Sequence, residues 1–216
     1  MKKTIAIIMV AVLLMAASVM GTLAYLTAKT DAVKNTFTVG KVEIELDEAK
    51  VDAYGNREEG AERVKENNYK LIPGHTYTKD PTVTVKSGSE PSYIKMTVTF
   101  SNANELDAIF ALNGAELTSI FNDYNADNWI AKGNTNDTTA NTRTYEFWYK
   151  EAVGALNGEV KLEALFDSIT VPVEITQELL ANIMGMTINV QAYAIQADGF
   201  KSATNAWTAF EVAAIN

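Results

Sequence analysis

The chain has 216 residues, of which 47% are hydrophobic and 21% charged, a composition typical of a folded domain with a sizeable core. Its formal net charge of −9 argues against nucleic acid as a partner and against docking on anionic lipid, because an acidic surface repels phosphate groups. Cysteine is absent, which excludes disulfides, thiolate metal ligands and cysteine nucleophiles.

Residues 1–24 have the organisation of a signal peptide. Two lysines precede an almost unbroken apolar run from Ile5 to Met20, and the small residues Gly21, Thr22 and Ala24 follow it. Signal peptidases recognise such small residues, so we predict cleavage between Ala24 and Tyr25. The alternative is that the segment is retained as an anchor, because about 20 apolar residues are long enough to cross a bilayer. In both cases the folded part lies outside the cytoplasm, and the membrane is contacted only through an uncleaved leader.

Residues 25–40 lead into the first predicted strand and change its phase. Phe37 and Val39 occupy odd positions, whereas the apolar residues from Val42 to Leu46 occupy even ones. Because the side chains of a strand alternate between its faces, a one-residue slip at Gly40 reverses the buried face. Glycine tolerates the bulge or bend that such a slip needs. The residues before Gly40 can therefore pack on a different apolar surface from those after it; the alternative is a bulge within one intramolecular strand.

Alternation of apolar and polar residues dominates the rest of the chain. From Ile94 to Phe100, for example, every second residue is apolar. Pro172 confines one strand to a sheet edge or to a position where no N–H is needed. Such segments, without long helices between them, predict an all-β fold, an antiparallel jelly-roll-like sandwich formed by a single domain over residues 41–216. The predicted strands are Lys41–Asp47, Thr82–Lys86, Tyr93–Phe100, Thr144–Lys150, Ser168–Ile175 and Thr187–Ala197.

Two to four short helices are expected at the periphery of this sandwich. The segments with apolar residues at helical spacing are Asn104–Tyr124, Thr176–Gly185 and Ser202–Val212. In the second segment, Thr176 is suited to cap the helix N-terminus and Gly185 to end the helix. The polar stretches Asp47–Asn68 and Lys132–Arg143 are predicted to be solvated loops.

Residues able to perform chemistry are few. His75 is the only histidine and lies in a Pro-Gly turn, whereas zinc hydrolases use two or three imidazoles. We therefore predict no catalytic residue, no cofactor and no enzyme activity. Asp123 and Asp127 are the candidate calcium ligands, although their spacing is not that of an EF-hand. The alternative is a turn in which these polar side chains cap their own backbone.

Aromatic residues offer a different kind of site. Trp148 is out of phase with its inward-facing neighbours, so it either faces the second sheet or lies exposed. Exposed aromatic rings can bind sugars or a partner protein. Trp129 is the residue on which a sugar-binding function would depend.

Several stretches together resemble the TasA/camelysin family of secreted Gram-positive proteins, which are exported with a signal peptide of the SipW type. They are the leader ending in GTLAYLT, the segment NTFTVGKVEIEL (Asn35–Leu46), the segment LIPGHTYTKDPTVTV (Leu71–Val85) and the segment YIKMTVTF. The C-terminal stretches LFDSITVPVEI and VQAYAIQADGFKSATNAW resemble bacterial proteins with the same type of signal peptide. The resemblance does not extend to Asn102–Asn141.

The resemblance implies a secreted jelly-roll sandwich that stays at the cell surface or in the biofilm matrix and assembles into fibres. In that family, an N-terminal segment of one subunit adds as a strand to the next subunit. By position this donor segment is residues 25–40 here, ending in Phe37, Val39 and Gly40. The expected partners are copies of the same chain and other matrix or cell-wall components.

Two other functions stay open at this point. One is a monomeric surface adhesin or carbohydrate-binding module. The other is the metalloprotease activity described for camelysin, from which this sequence departs because His75 alone cannot form a conventional zinc site.

Overall fold

The computed structural model describes residues 40–110 and 120–214 of the chain. Contacts divide the chain into two units, Met1–Val39 and Gly40–Asn216, and the described residues belong to the second. The strands in these ranges are β1 (Ile44–Asp47), β2 (Thr76–Thr78), β3 (Thr82–Val85), β4 (Ser89–Ser101), β5 (Phe121–Asn122), β6 (Trp129–Asp137), β7 (Thr142–Tyr149), β8 (Val153–Ala155), β9 (Val160–Lys161), β10 (Ser168–Thr170) and β11 (Ile188–Gln196). The helices are α1 (Ala103–Phe110), α2 (Gln177–Asn182) and α3 (Ala203–Ala214).

The strands form three antiparallel sheets. The largest has the order β11-β4-β7-β6, with β8 paired to β4, and the two smaller sheets have the orders β1-β3-β9 and β2-β10-β5. Side chains from all three sheets meet in one hydrophobic core. The predicted all-β sandwich with a few short helices is therefore confirmed.

The core is formed by the alternating faces that the sequence predicts. On β4, Ile94, Met96 and Val98 are completely buried, and on β7 so are Tyr145 and Phe147. Neighbouring strands contribute the apolar side chains of Val83, Val85, Phe121 and Ile169 to the same cluster, and the segment before β10 contributes Phe166. The rings of Phe121 and Phe166 stack with their centroids 4.3 Å apart. Burial of these side chains is the main stabilising contribution to the sandwich.

Two of the predicted helices are present: α2 has the expected ends, and α3 buries the expected face. The side chain of Thr176 accepts a hydrogen bond from the backbone N–H of Leu179 and so caps α2. Gly185 follows the end of α2 with a φ of 80°, a conformation that glycine adopts at little cost. In α3, Ala206 and Trp207 are buried, as the helical spacing predicts. Helix α3 lies on β11 of the large sheet.

The stretch Lys132–Arg143 was predicted to be a loop, and this prediction is wrong. It belongs to a hairpin formed by β6 and β7. Trp129 pairs with Tyr149 and Asp137 pairs with Thr142, with a register shift between Ala131 and Gly133. The side chain of Asp137 accepts hydrogen bonds from the N–H groups of Thr139 and Ala140, which closes the turn. The prediction failed because most of this edge strand is exposed and polar, so it lacks the alternation that marks a half-buried strand.

Two other boundaries also differ from the predictions. The predicted strand Ser168–Ile175 ends at Thr170, before Pro172, and Val173 is 72% exposed. Proline cannot donate to a ladder, so pairing stops there. Phe121, expected on a helix, lies in β5 and pairs with Ile169 of β10. Residues 111–119 lie outside the described ranges.

Candidate binding groove

A groove of about 1620 Å³ lies between β1, at the edge of one small sheet, and β11, at the edge of the large sheet. Helix α2 and the residues that follow it line one part of the groove, and the segment from Val64 to Leu71 lines another. Phe100 and Ile169 of the core also contribute to its lining. The groove therefore reaches from the surface to the core between the two layers.

Several core-facing side chains along this groove are incompletely covered. The core-facing residues of β4 are completely buried, as shown above, whereas Ile44 and Leu46 of β1 are only partly buried. The same is true of the core-facing row of β11, which consists of Ile188, Val190, Ala192 and Ala194. Apolar surface is thus left accessible to water along both edges, which is unfavourable in an isolated domain.

The backbone of β11 is open on the groove side. The N–H of Ser101 donates to the carbonyl of Thr187, and the N–H of Ala197 donates to the carbonyl of Pro91, so odd-numbered residues of β11 bond to β4. In an antiparallel ladder the intervening residues direct their N–H and C=O groups to the other side. The even-numbered residues from Ile188 to Ala194 therefore present both apolar side chains and hydrogen-bonding backbone groups, and no strand of the described ranges pairs with them.

The backbone of β1 is open in the same way. The N–H of Lys86 donates to the carbonyl of Glu43, so Ile44 and Leu46 direct their backbone groups away from β3. After β1, Glu48 is bridged to Val64, which limits the open part of this edge to a few residues. The edge of β11 is consequently the longer of the two.

Charged side chains flank the groove on the β1 side. Lys86 lies 2.9 Å from Glu45, and this hydrogen bond lowers the pKa of Glu45 below its usual value. The same contact, and a second one to Glu159, raise the pKa of Lys86. These exposed pairs contribute little stability, because water screens them. Their effect is to keep the rim charged over the ordinary pH range.

The predicted cleavage and donor residues are only partly within the described ranges. Ala24, Tyr25, Phe37 and Val39 lie outside them. Gly40 is the first described residue, and a Cβ atom placed on it would lie 2.9 Å from the Cγ atom of Glu90. A larger residue at this position would require the flexible Glu90 side chain to move. The described residues contain no helix that is long and apolar enough to cross a membrane.

The candidate calcium ligands lie in a turn held by its own hydrogen bonds. Asp123 and Asp127 are both exposed. The side-chain oxygen of Asn125 accepts a hydrogen bond from the backbone N–H of Asn128. This agrees with the alternative in which polar side chains of the turn cap their own backbone. In the part of the chain that the structure describes, no three His, Cys, Asp or Glu residues are grouped to hold a metal.

His75 lies in the predicted turn. Its Nε2 atom donates to the carbonyl of Tyr54 at 2.5 Å, and its ring packs edge-on against Tyr77. These contacts give the imidazole a structural role in joining two loops.

The tryptophans do not form an exposed aromatic row. Trp129 is 1% exposed, and its indole N–H donates to the carbonyl of Glu163, so it is a core residue and cannot contact a sugar. Trp148 is partly buried beside Trp207 of α3, with the Lys132 ammonium 4.2 Å from its ring centroid. Neither predicted alternative is correct: Trp148 packs against the helix α3 and not against a second sheet, and it is partly buried.

The groove could not be predicted from the sequence. Alternation identifies β1 and β11 as half-buried strands, but it is the same for a strand in the middle of a sheet and for one at its edge. The sequence of β11 contains a weak indication of the groove. Its core-facing residues Ala192 and Ala194 are small, whereas the residues of β4 that pair with them are Met96 and Ile94. Smaller side chains fill less of the space between two layers.

Comparison with known proteins adds one finding. A family model with the description "-like, N-terminal domain" matches residues 17–113. The match includes β1 to β4 and α1, and it covers less than half of the chain. No curated protein and no solved structure matches the chain.

Proposed function

We propose that this is a secreted structural protein of the cell surface or biofilm matrix, which assembles into fibres when an N-terminal segment of one copy enters the groove of the next. The groove between the open edges of β1 and β11 carries this proposal. Strand addition of this kind uses backbone hydrogen bonds for affinity and pockets for alternate side chains for register. Both features are present along β11, as described above.

The occupant we propose is residues 25–40 of a second copy. Phe37 and Val39 lie two residues apart, so both side chains project from the same face of an extended strand and can lie against the apolar row of β11. The strand would pair with β11 because that edge is the longer one. Met184, which is 81% exposed at the groove, would be covered at the same time.

Charge also favours this occupant. Residues 25–40 contain Lys29 and Lys34 but only one acid, Asp31, so the segment is net positive. Residues 41–216 are strongly acidic. The segment can therefore approach an acidic neighbour without being repelled, whereas two copies of residues 41–216 repel each other.

Deletion of residues 25–39 tests the proposal. The shortened chain should remain folded and monomeric, because the core described above is built from residues that follow Gly40. Electron microscopy should show no fibres. The full mature chain, prepared in parallel, should form them. Unchanged fibres from the shortened chain would show that assembly uses another surface.

A second variant tests whether assembly depends on the apolar side chains of the segment or only on its length. Replacing Phe37 and Val39 by serine keeps the segment's length and charge while removing its two apolar side chains at that end. This variant should assemble as poorly as the deletion. If it assembles normally while the deletion does not, the segment acts without entering an apolar groove. If the segment binds its own chain instead, the full-length protein will remain monomeric at all concentrations.

The assignment to the cell surface rests on the leader. N-terminal sequencing of the secreted protein should give Tyr25 as the first residue. Recovery of cell-associated protein that begins at Met1 or Lys2 would instead support a retained anchor.

A further inference from the structure

Three side chains of different chemistry meet at one end of the groove. The Lys79 ammonium donates to one oxygen of the Glu48 carboxylate at 2.6 Å. The amide nitrogen of Asn67 donates to the other oxygen of the same carboxylate at 3.0 Å. A single acid thus holds an amine and a carboxamide side by side.

The amide of Asn67 is fixed in orientation. Its nitrogen also donates to the carbonyl of Ala49 at 2.9 Å, and its oxygen accepts the backbone N–H of Val51 at 3.1 Å. The N–H of Val51 therefore polarises the amide carbonyl, and it would stabilise negative charge that developed on that oxygen. This is the donor arrangement that acyl transfer requires.

The amine and the acid are buried, and among the described residues each forms its ion pair with the other. The side chains of Lys79 and Glu48 are 8% and 10% exposed. The next acid along the chain, Asp80, is engaged by Arg57 and Arg63. Burying an ion pair costs desolvation energy that its attraction does not always repay.

The surroundings hold the three groups in place. The backbone of Glu48 exchanges two hydrogen bonds with Val64, each 2.8 Å long. Tyr69 donates to the carbonyl of Thr78, next to Lys79. Burial raises the pKa of Tyr69, and the nearby Glu48 carboxylate raises it further. Holding the groups side by side lowers the entropic cost of a reaction between them.

We infer that this cluster forms an intramolecular isopeptide bond between the Nζ atom of Lys79 and the Cγ atom of Asn67, with Glu48 as the proton-transfer residue. A proton passes from the Lys79 ammonium to the Glu48 carboxylate. The neutral amine then attacks Cγ, and the oxygen of the tetrahedral intermediate is held by the N–H of Val51.

The reaction is balanced without any further reagent. The bond between Nζ and Cγ forms, and the bond between Cγ and Nδ2 breaks. Nζ loses two protons in all: one remains on Glu48, and the other reaches Nδ2, which leaves as ammonia. The product contains an amide and a carboxylic acid in place of a buried ion pair, so no charge remains in the cluster.

The bond would tie the loop that carries Asn67 to the end of β2. Both lie beside the proposed donor groove, and a covalent link between them survives denaturation. The inference does not depend on strand addition, because the reaction takes place within one chain.

Peptide mapping of the purified mature chain tests the inference directly. Trypsin does not cleave after an acylated lysine, so the bond should give one branched species in which Glu66–Lys70 is joined to Leu71–Lys86. Its mass should be lower by one ammonia than the sum of the two peptides. Recovery of Leu71–Lys79 as a separate peptide, with Asn67 unmodified, would overturn the inference. This readout needs no variant and so does not depend on how a variant folds.

Two variants identify the roles of the residues. Glu48→Ala should abolish the branched species, because the amine and the amide then lack their proton-transfer group. Lys95→Met is the matched control: Lys95 is also buried, and its ammonium lies 3.4 Å from Glu146, but no asparagine hydrogen-bonds that acid in the described residues. The control should retain the branched species. Its loss in Lys95→Met, or its persistence in Glu48→Ala, would contradict the assignment.

Discussion

The ammonium group of Lys95 lies 4.7 Å from the centroid of the Trp207 ring, between the outer face of β4 and helix α3. The rings of Phe210 and Tyr193 lie 5.4 Å and 5.7 Å from the same ammonium. Lys95 is only 5% exposed and pairs with Glu146. A lysine on the polar face of a strand thus becomes the point at which a helix is fixed to the sheet.

Trp207→Ala should detach this helix. The substitution removes a buried ring and leaves the Lys95 charge without its closest aromatic partner, so we expect a loss of about 3 to 5 kcal/mol in the free energy of unfolding. Urea denaturation followed by circular dichroism measures it. Thr208→Ala, at the neighbouring exposed position, is the control and should change stability by less than about 0.5 kcal/mol. Similar losses in both variants would show that α3 is not held through Trp207.

Asp80→Asn should destabilise the protein at neutral pH and have less effect in acid. Burial of Asp80 raises its pKa, but the hydrogen bonds from Arg63 and from the N–H of Ala49 outweigh burial and lower it below its ordinary value of 3.8. A carboxyl whose pKa is lower in the folded state stabilises that state above its unfolded pKa. We expect a loss of about 3 kcal/mol at neutral pH, since a buried charge pair is broken.

The pH dependence of this effect has a definite sign. As the pH falls below 3.8 towards the lower pKa of the folded state, the wild-type protein loses the contribution of Asp80, and the two proteins should converge in stability. Asp167 is the control, because burial and the charges of Asp123 and Asp80 raise its pKa. Asp167→Asn should therefore not destabilise the protein at neutral pH. A difference between wild type and Asp80→Asn that is independent of pH would exclude this account.

Val190→Asp should block assembly without unfolding the sandwich. Val190 is a partly buried residue of the β11 row, and a carboxylate there would be buried by an incoming strand without a partner. Asn189→Asp adds the same charge to the next residue, whose side chain projects from the opposite face. Light scattering should show that Asn189→Asp assembles at the normal rate. Val190→Asp should assemble at least about tenfold more slowly, which corresponds to a loss of about 1.4 kcal/mol in the free energy of strand binding. Equal rates would place the contact elsewhere.

Mild acidification should accelerate assembly of the unmodified chain. The formal net charge of −9 makes copies repel each other, and protonation of exposed carboxylates reduces that repulsion. The increase should appear as the pH approaches the ordinary carboxyl pKa values of about 4, before the paired acids are protonated. Added salt at neutral pH should have a similar effect, because it screens the same charges. An assembly rate that is insensitive to both would show that repulsion does not limit assembly.

The sequence predicts the sandwich well because its strands alternate clearly. In β4 and β7 the buried residues are those at alternate positions, and Thr176 caps α2 as a local signal should. Features that depend on which strand lies at an edge could not be predicted. The groove lies where no described strand pairs with the outer edge of β1 or of β11. Glu48, Asn67 and Lys79, which are distant in sequence, meet only through the path of the chain. Their spacing in sequence follows no known motif.

Hydrogen exchange at the edge of β11 tests the central claim most directly. A synthetic peptide of residues 25–40 is added to the protein that lacks residues 25–39, and amide exchange is followed residue by residue. We predict protection of the N–H groups of Ile188, Val190, Ala192 and Ala194, which face the groove, and little change at the odd-numbered residues already bonded to β4. The absence of protection at these four amides under saturating peptide would contradict strand addition in this groove.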